Sequence, residues 1–357
     1  AAVPLGGPGE MLDDSVTAEY VRAATGVIAP DGPRNLKIAY TPLHGVGAAV
    51  LTAVFSRAGF GVPGVVPEQA EPHPDFPTVS FPNPEEPGAI DRLLALARTV
   101  DADLALANDP DADRCAVAVP DPVHGWRMLH GDEVGVLLAD HLIRQGRQGL
   151  YATTIVSSSL LRRLCAARGV PYAETLTGFK WIVRAEAGDA ELAYGYEEAL
   201  GYCVAPGQVR DKDGITAALT VAEVAAALKA EGRTILDRLD ELAAEFGVHR
   251  TDQLSVRVDD LRDIADAMTR IRTRTPSTLL DEPVVSVRDL RPEADVLILR
   301  TETARVVIRP SGTEPKLKAY LEVVEPVVGG DVAAARERAS ASVRALRTET
   351  AAALGVW

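Results

Sequence analysis

The chain has 357 residues, 47% of them hydrophobic, and a formal net charge of −14. That length supports two to three domains with cores of their own, and the negative balance argues against nucleic acid or an anionic membrane surface as a partner. No apolar run reaches the roughly 18 residues that span a bilayer and no basic-then-apolar leader opens the chain, so the expectation is a soluble, cytoplasmic protein.

Residues 1–33 are rich in Gly, Pro and Ala, with one amphipathic piece around Val16–Ala24, and are expected to be a linker leading in from a domain outside this sequence. From Asn35 the pattern is strand "LKIAY", loop "TPLHGVG", helix "AAVLTAVFSRAGF" and strand "GVVP". A Pro-rich span over 67–87 follows, then helix "GAIDRLLALARTV", strand "DLALA", an acidic loop and strand "CAVAV". The order recurs as strand "LYATTIV", helix "SSSLLRRLCAARG" with serines available at its N-cap, strand "VPYAE", helix "GFKWIVRAEA", strand "ELAYG", an acidic loop and strand "GYCVA". A helical stretch over 214–245 comes next. Strand-like segments then fill 250–325 around one helix, "LRDIADAMTRIRT", and a long helix over 331–353 closes the chain. The expected fold is α/β: two repeated α/β mixed-sheet domains, 34–130 and 131–247, followed by an α+β C-terminal domain over 248–357.

Cys115, Cys165 and Cys203 are scattered and lie mostly in apolar runs, which reads as buried free thiols in a reducing compartment. Lysine is scarce, six residues among 37 basic ones, so its placement is informative. Lys180, Lys212, Lys316 and Lys318 all fall in short polar segments between apolar runs.

Three loops carry chemistry. In "NDPDADR", Asp109, Asp111 and Asp113 alternate directly after a buried strand and Arg114 follows. Carboxylates with no His or Cys nearby suit a hard ion such as Mg²⁺, whereas a polar hairpin tip would not need three of them. An EF-hand is excluded, because its sixth position would be Arg114 and its twelfth Pro120. In "RPSGTEPKLKAY", Arg309 offers a planar fork, and Ser311, Gly312 and Thr313 offer hydroxyls and turn N–H groups. With Lys316 and Lys318 alongside, this is a cradle for phosphate. In "GYEEALGY", Glu197 and Glu198 sit between aromatic residues, a way to hold sugar hydroxyls; a solvated acidic turn is the alternative. His44, between a strand end and a helix start, lies where α/β sheets bind ligands, but a lone histidine is more often structural.

Together with "TPLHGVG" and "TLTGFKWI", these motifs resemble the α-D-phosphohexomutase superfamily of phosphoglucomutases and phosphomannomutases, over about residues 34–345. The GYEEALGY form is most similar to the phosphoglucomutase-2 and phosphopentomutase-like branch. The resemblance implies Mg²⁺ on Asp109, Asp111 and Asp113, with Arg114 beside it in the catalytic loop. It implies sugar contacts from Glu198 and Glu197, a substrate-facing Lys180, and a distal phosphate loop of Arg309, Ser311, Gly312, Thr313 and Lys318. The reaction it implies interconverts hexose 1-phosphate and hexose 6-phosphate through glucose 1,6-bisphosphate or an analogous intermediate. The family's GExSGH pattern has Ser and His where this chain has Leu200 and Tyr202, which leaves hexose against pentose preference open. Lys318 stands where arginine is frequent. The family's phosphoserine loop, TASHNP-like, has no match in the sequence, so the expectation is a chain lacking that domain and inactive alone. Two rivals remain: an aspartyl-nucleophile phosphatase built on Asp109 and Asp111, and a sugar-phosphate-binding fragment without turnover. Oligomeric state is not legible.

Overall fold

The computed structural model describes all residues except 1–5, 8, 124, 313–314 and 356–357, and divides into two compact units. One comprises residues 1–129 and 201–232, the other 130–200 and 233–357. Among the described residues no helix is long and apolar enough to cross a membrane.

In the first unit strand Ile38–Thr41 lies parallel to Gly64–Val65 on one side and to Leu104–Asn108 on the other. Cys115–Asp121 and Gly125–Met128 then extend the sheet antiparallel. Every residue of Leu104–Asn108 is buried, so an unbroken apolar run serves here rather than an alternating one. Helix Gly214–Ala230 is buried nearly all round and packs against strands Leu104–Asn108 and Cys115–Asp121. Its N-cap, Asp213, accepts from the N–H groups of Ile215 and Thr216. The amphipathic piece within the expected linker forms helix Ser15–Thr25, packed on helices Gly47–Arg57 and Gly214–Ala230. Tyr20 from that helix donates to Asp213 at 2.8 Å.

The second unit repeats the same order: Leu150–Thr154 runs parallel to Tyr172–Thr175 and to Leu192–Glu197 on its two sides. In both units the first strand is central, flanked by the second and third, which makes the repeat topological rather than one of residue identity. The expected helix over 178–187 contracts to Phe179–Ile182. Beyond Val183 the segment Arg184–Ala187 offers no large apolar side chain to bury. The helical stretch 214–245 is two helices, broken at Gly232 (φ +72°) and restarted at Ile235 by a reciprocal Thr234 and Asp237 cap.

The C-terminal part of the second unit is an antiparallel sheet in the order Val248–Arg257, Lys316–Glu325, Ala304–Pro310, Leu297–Arg300, Ser286–Asp289. Alternation gives Lys316–Glu325 two characters. Leu317, Ala319, Leu321 and Val323 face a core formed with helices Leu261–Thr273 and Val332–Leu354. Lys318, Tyr320 and Glu322 face the other way, toward Ile155 and Val156 of the α/β part. The sheet face that meets the α/β part is thus the charged one.

Helix Gly131–Arg144 has no counterpart in the sequence reading. It begins on the backbone of the acidic loop: a Cβ at Gly131 would lie 1.9 Å from the Glu198 carbonyl oxygen. Gly131→Ala should therefore cost about 1–3 kcal/mol of stability in urea denaturation, as overpacking does. Gly207→Ala, with open space around it, should change stability by less than about 0.5 kcal/mol.

Candidate active site

The acidic loop is shaped by close backbone approach. Asn108, fully buried, accepts from Tyr40 OH at 2.9 Å and donates to the Arg114 carbonyl at 2.6 Å, which closes the turn. A Cβ at Gly45 would meet the Pro110 backbone at 2.3 Å, and one at Gly214 would meet the Arg114 carbonyl oxygen at 2.3 Å. Ala112 takes a left-handed φ of +59° to let the chain reverse. Within this turn carboxylate oxygens of Asp109, Asp111 and Asp113 lie within 4.8 Å of one another.

Cations from this chain hold two of the three. Arg114 donates its backbone N–H and its Nε to the two oxygens of buried Asp109, at 3.0 and 2.6 Å. Lys212 reaches Asp113 at 3.0 Å. Even so, burial pushes the Asp113 carboxyl above its usual range, with Lys212 opposing and Asp109 and Asp111 adding to the rise. The residual repulsion and an all-oxygen donor set fit a divalent hard cation bound here. His44, with φ +59°, is buried and its Nε2 meets Thr78 Oγ at 2.8 Å, so it anchors the Pro-rich span.

In the second unit Glu198 is held by hydroxyls: its Oε2 accepts from Ser157 at 2.9 Å and Thr154 at 3.2 Å. The serines expected to cap helix Leu160–Arg168 serve it only in part. Ser159, the N-cap residue, makes no side-chain cap bond, whereas Ser158 Oγ accepts from the Leu160 N–H at 3.1 Å and donates to Glu322 at 2.7 Å. Glu322 and Arg305 form a buried ion pair at 2.9 Å, and His249 adds a 2.9 Å contact to Glu322. Burial works to raise the Glu322 carboxyl, but Arg305, His249 and Ser158 hold it well below the usual range.

Arg309 and Lys318 are direct partners on adjacent strands, and Lys318 lies 6.0 Å from the ring of Tyr320 on the same face. Burial pushes the Tyr320 phenol up, the Glu198 carboxylate adds to the rise, and Arg309 opposes it. The expected sugar carboxylate and phosphate arginine therefore act on one buried phenol. Glu197 also acts on it. Ser311 is half-buried with its N–H bonded to the Lys316 carbonyl at 2.8 Å, Gly312 is exposed, and Thr313 lies outside the described residues. Lys180 is exposed, with its Nζ 5.5 Å from the Trp181 ring. Sequence reasoning missed Ser157, Thr154, Asp132 and the Arg305–Glu322 pair; only the strand alternation of Glu322 and Arg305 among apolar neighbours signalled the last.

Three family models match the chain: phosphoglucomutase/phosphomannomutase alpha/beta/alpha domain II over residues 18–125, alpha/beta/alpha domain III over 130–246, and the C-terminal domain over 250–339. The chain belongs to the α-D-phosphohexomutase superfamily. It is similar to a Haemophilus influenzae protein named "Probable phosphomannomutase", 42% identical over 87% of this chain and 64% of that protein. It is 32% identical to the human "Phosphopentomutase" over 83% of this chain and 55% of the relative. The chain thus spans less than two thirds of these relatives. The open form of the Paramecium phosphoglucomutase parafusin shares the fold, with a TM-score of 0.70, 19% identity and coverage of 95% of this chain and 63% of that one.

Asp132 gives a pH test of the second unit. It is fully enclosed, accepting from Ser158 N–H at 2.6 Å, Tyr196 OH at 3.1 Å and Thr251 OH at 3.1 Å. Burial pushes its carboxyl from 3.8 to about 7, with Glu198 and Glu322 adding to the rise. The folded state therefore keeps this proton at pH values where the unfolded chain has lost it. The resulting destabilisation is absent below 3.8 and complete above about 7. Asp132→Asn, which can keep all three hydrogen bonds, should remove that fall in stability, on the order of a few kcal/mol at neutral pH, in denaturation curves collected across the window.

Proposed function

We propose that this chain supplies the Mg²⁺ loop, the sugar-reading loop and the distal phosphate loop of a phosphosugar mutase that interconverts sugar 1-phosphates and their terminal phosphates through a bisphosphate intermediate. The observation that carries the reading is the convergence of Glu198, Tyr320, Arg309 and Lys318 in the second unit, where a hydroxyl-reading carboxylate stands beside a paired cationic fork.

In this reading Arg309, Lys318 and the Ser311–Gly312 turn receive the phosphate that does not react. The planar guanidinium gives two parallel bonds and the turn adds N–H and hydroxyl donors. The Ser157 and Thr154 hydroxyls satisfy Glu198 Oε2, leaving Oε1 to accept from vicinal sugar hydroxyls. Glu197 and Lys180 extend this surface, and Thr313 is assigned to the phosphate loop by resemblance. A site that reads one remote phosphate and a pair of hydroxyls accepts either end of a sugar bisphosphate, which is what reorientation between two half-reactions requires. Asp109, Asp111 and Asp113 would hold the Mg²⁺, and Arg114 and Lys212 orient Asp109 and Asp113 for it. When bound, Mg²⁺ supplies charge neutralisation at the transferring phosphoryl group. Domain limits of 34–130, 131–247 and 248–357 and a cytoplasmic location belong to the same proposal, as does inactivity of the 357 residues without a phosphoserine donor. The phosphopentomutase name of a relative, with Leu200 and Tyr202 in the sugar loop, supports a pentose phosphate as the second reading of the substrate.

Calorimetry with glucose 1,6-bisphosphate should show binding that weakens with salt and is lost in Arg309→Ala, since each charge-assisted phosphate bond contributes about 1.5–3 kcal/mol. Binding unaffected by that change would overturn the reading. For the metal loop, Mg²⁺ should raise the melting temperature of the chain, by mass action on the folded state. Asp111→Ala should abolish the rise and leave the metal-free protein no less stable, because one of three crowded carboxylates is gone. A parent chain indifferent to Mg²⁺ would take the ion out of the account.

A further inference from the structure

A second cationic pocket lies in the second unit, at the end of the charged sheet face opposite the phosphate loop. Arg305 and Arg309 are four residues apart on one strand with side chains on the same face, about 13 Å apart at 3.3 Å per residue. Around Arg305 a cavity of about 60 Å³ is lined by Arg162, Arg163, Arg300, Thr301, Thr303 and Ser159, among others.

Its charge is unbalanced. Arg305 is paired with Glu322 and with Glu174, at 2.9 and 3.5 Å. Four guanidinium groups, Arg162, Arg163, Arg300 and Arg305, thus stand against three carboxylates, Glu322, Glu174 and the exposed Glu302. Arg163 gives one N–H to the Phe246 carbonyl. Arg162, exposed on the first turn of helix Leu160–Arg168, forms no hydrogen bond or ion pair among the described residues. Arg300 has a single long contact, 3.8 Å to Glu174, and its Nε is buried without an acceptor. Burial lowers the Arg300 guanidinium below its ordinary range, with Arg305 next in effect and Arg162 adding to it, while Glu174 and Glu322 oppose the fall without cancelling it. The helix start does not fill the need, since the Ser158 and Ser159 N–H groups already bond to Asp132 and Glu322.

We propose that this pocket binds a phosphate dianion, as the free ion or as the phosphoryl end of a phosphate ester, on the guanidinium groups of Arg162, Arg163 and Arg300; the Thr301 and Thr303 hydroxyls are bonded to Glu282 instead. Guanidinium forks match phosphate oxygens two at a time, and a buried unsatisfied Nε gains most from such a partner. The volume suits an ion or a phosphoryl group rather than a sugar ring. Because Arg305 lines the pocket and joins the C-terminal sheet to the loop after strand Leu150–Thr154, occupancy would clamp these two parts of the unit together. The site is independent of the sugar-phosphate reading above.

The test is calorimetric titration of inorganic phosphate into the 357-residue Arg309→Ala variant, at constant ionic strength set with chloride. Saturable binding of one phosphate per chain is expected to survive Arg309→Ala and to weaken about ten-fold on adding either Arg162→Gln or Arg300→Gln. Arg162 is exposed, so its variant keeps the test available even where the Arg300 variant fails to fold. Absence of saturable binding in Arg309→Ala, or binding that Arg162→Gln leaves unchanged, would overturn the proposal. In the same variant, glucose 6-phosphate binding more tightly than inorganic phosphate would assign the ester as occupant, and the reverse would assign the free ion; either order supports the site.

Discussion

The buried Arg305–Glu322 pair governs the geometry of the second unit. Strand register places the two residues directly opposite one another, on the face turned toward the α/β part, and both side chains are almost wholly enclosed. A pair this deep stabilises only if its remaining donors and acceptors are met. Here the loop after strand Leu150–Thr154 meets them: Arg305 donates to the Ile155 and Ser157 carbonyls, and Glu322 accepts from Ser158 and Ser159. The electrostatic demand of a C-terminal ion pair thereby fixes the backbone of residues 155–159. Ser157, fixed by that backbone, holds Glu198. The orientation of the Glu198 carboxylate thus follows from a guanidinium more than a hundred residues away in sequence.

The first unit uses the opposite strategy. It brings three carboxylates together by steric means, through glycines that admit backbone at distances no side chain would tolerate, and balances them only in part with Arg114 and Lys212. A loop held open by geometry rather than by mutual attraction can keep its shape whether or not a cation is bound, with burial and the neighbouring Asp109 and Asp111 pushing the Asp113 carboxyl up. Lys212 comes from the segment that ends in the Asp213 cap, so the start of a core helix and the acidic loop are positioned together.

This contrast accounts for what the sequence disclosed. The repeated α/β order and the C-terminal sheet were legible because their strands are apolar runs or clean alternations bounded by turn residues. Asp109, Asp111, Asp113 and Arg309 were legible because such residues are anomalous beside buried strands. Helix Gly131–Arg144 was not, since ten of its fourteen residues are buried and it shows no single apolar stripe. Its acids Asp132 and Asp140 look like surface residues in sequence, yet both are enclosed, Asp140 by Arg238 at 2.7 Å. Partners this distant leave no local periodicity to read. The serines after strand Leu150–Thr154 were legible in part for the same reason: Ser158 accepts from the first N–H of the helix as a Ser run there suggests, and only the C-terminal strand reveals that Glu322 takes its proton.

Charge placement, more than charge count, then decides what this acidic chain can bind. A net charge of −14 repels anions at long range, but screening confines that field to about 10 Å at moderate salt, so a local excess of guanidinium groups dominates within a pocket. The C-terminal sheet concentrates such groups on one face, with Arg309 and Lys318 toward one end and Arg300 and Arg305 toward the other. Between them lie Val307, Ile298 and Tyr320, an apolar strip packed on Ile155 and Val156. That strip keeps water out between the two cationic ends, so each end lies in a separate, partly desolvated setting. An arginine-rich, lysine-poor composition suits this arrangement, because guanidinium stays charged when half-buried and pairs with phosphate through two bonds where ammonium offers a point charge.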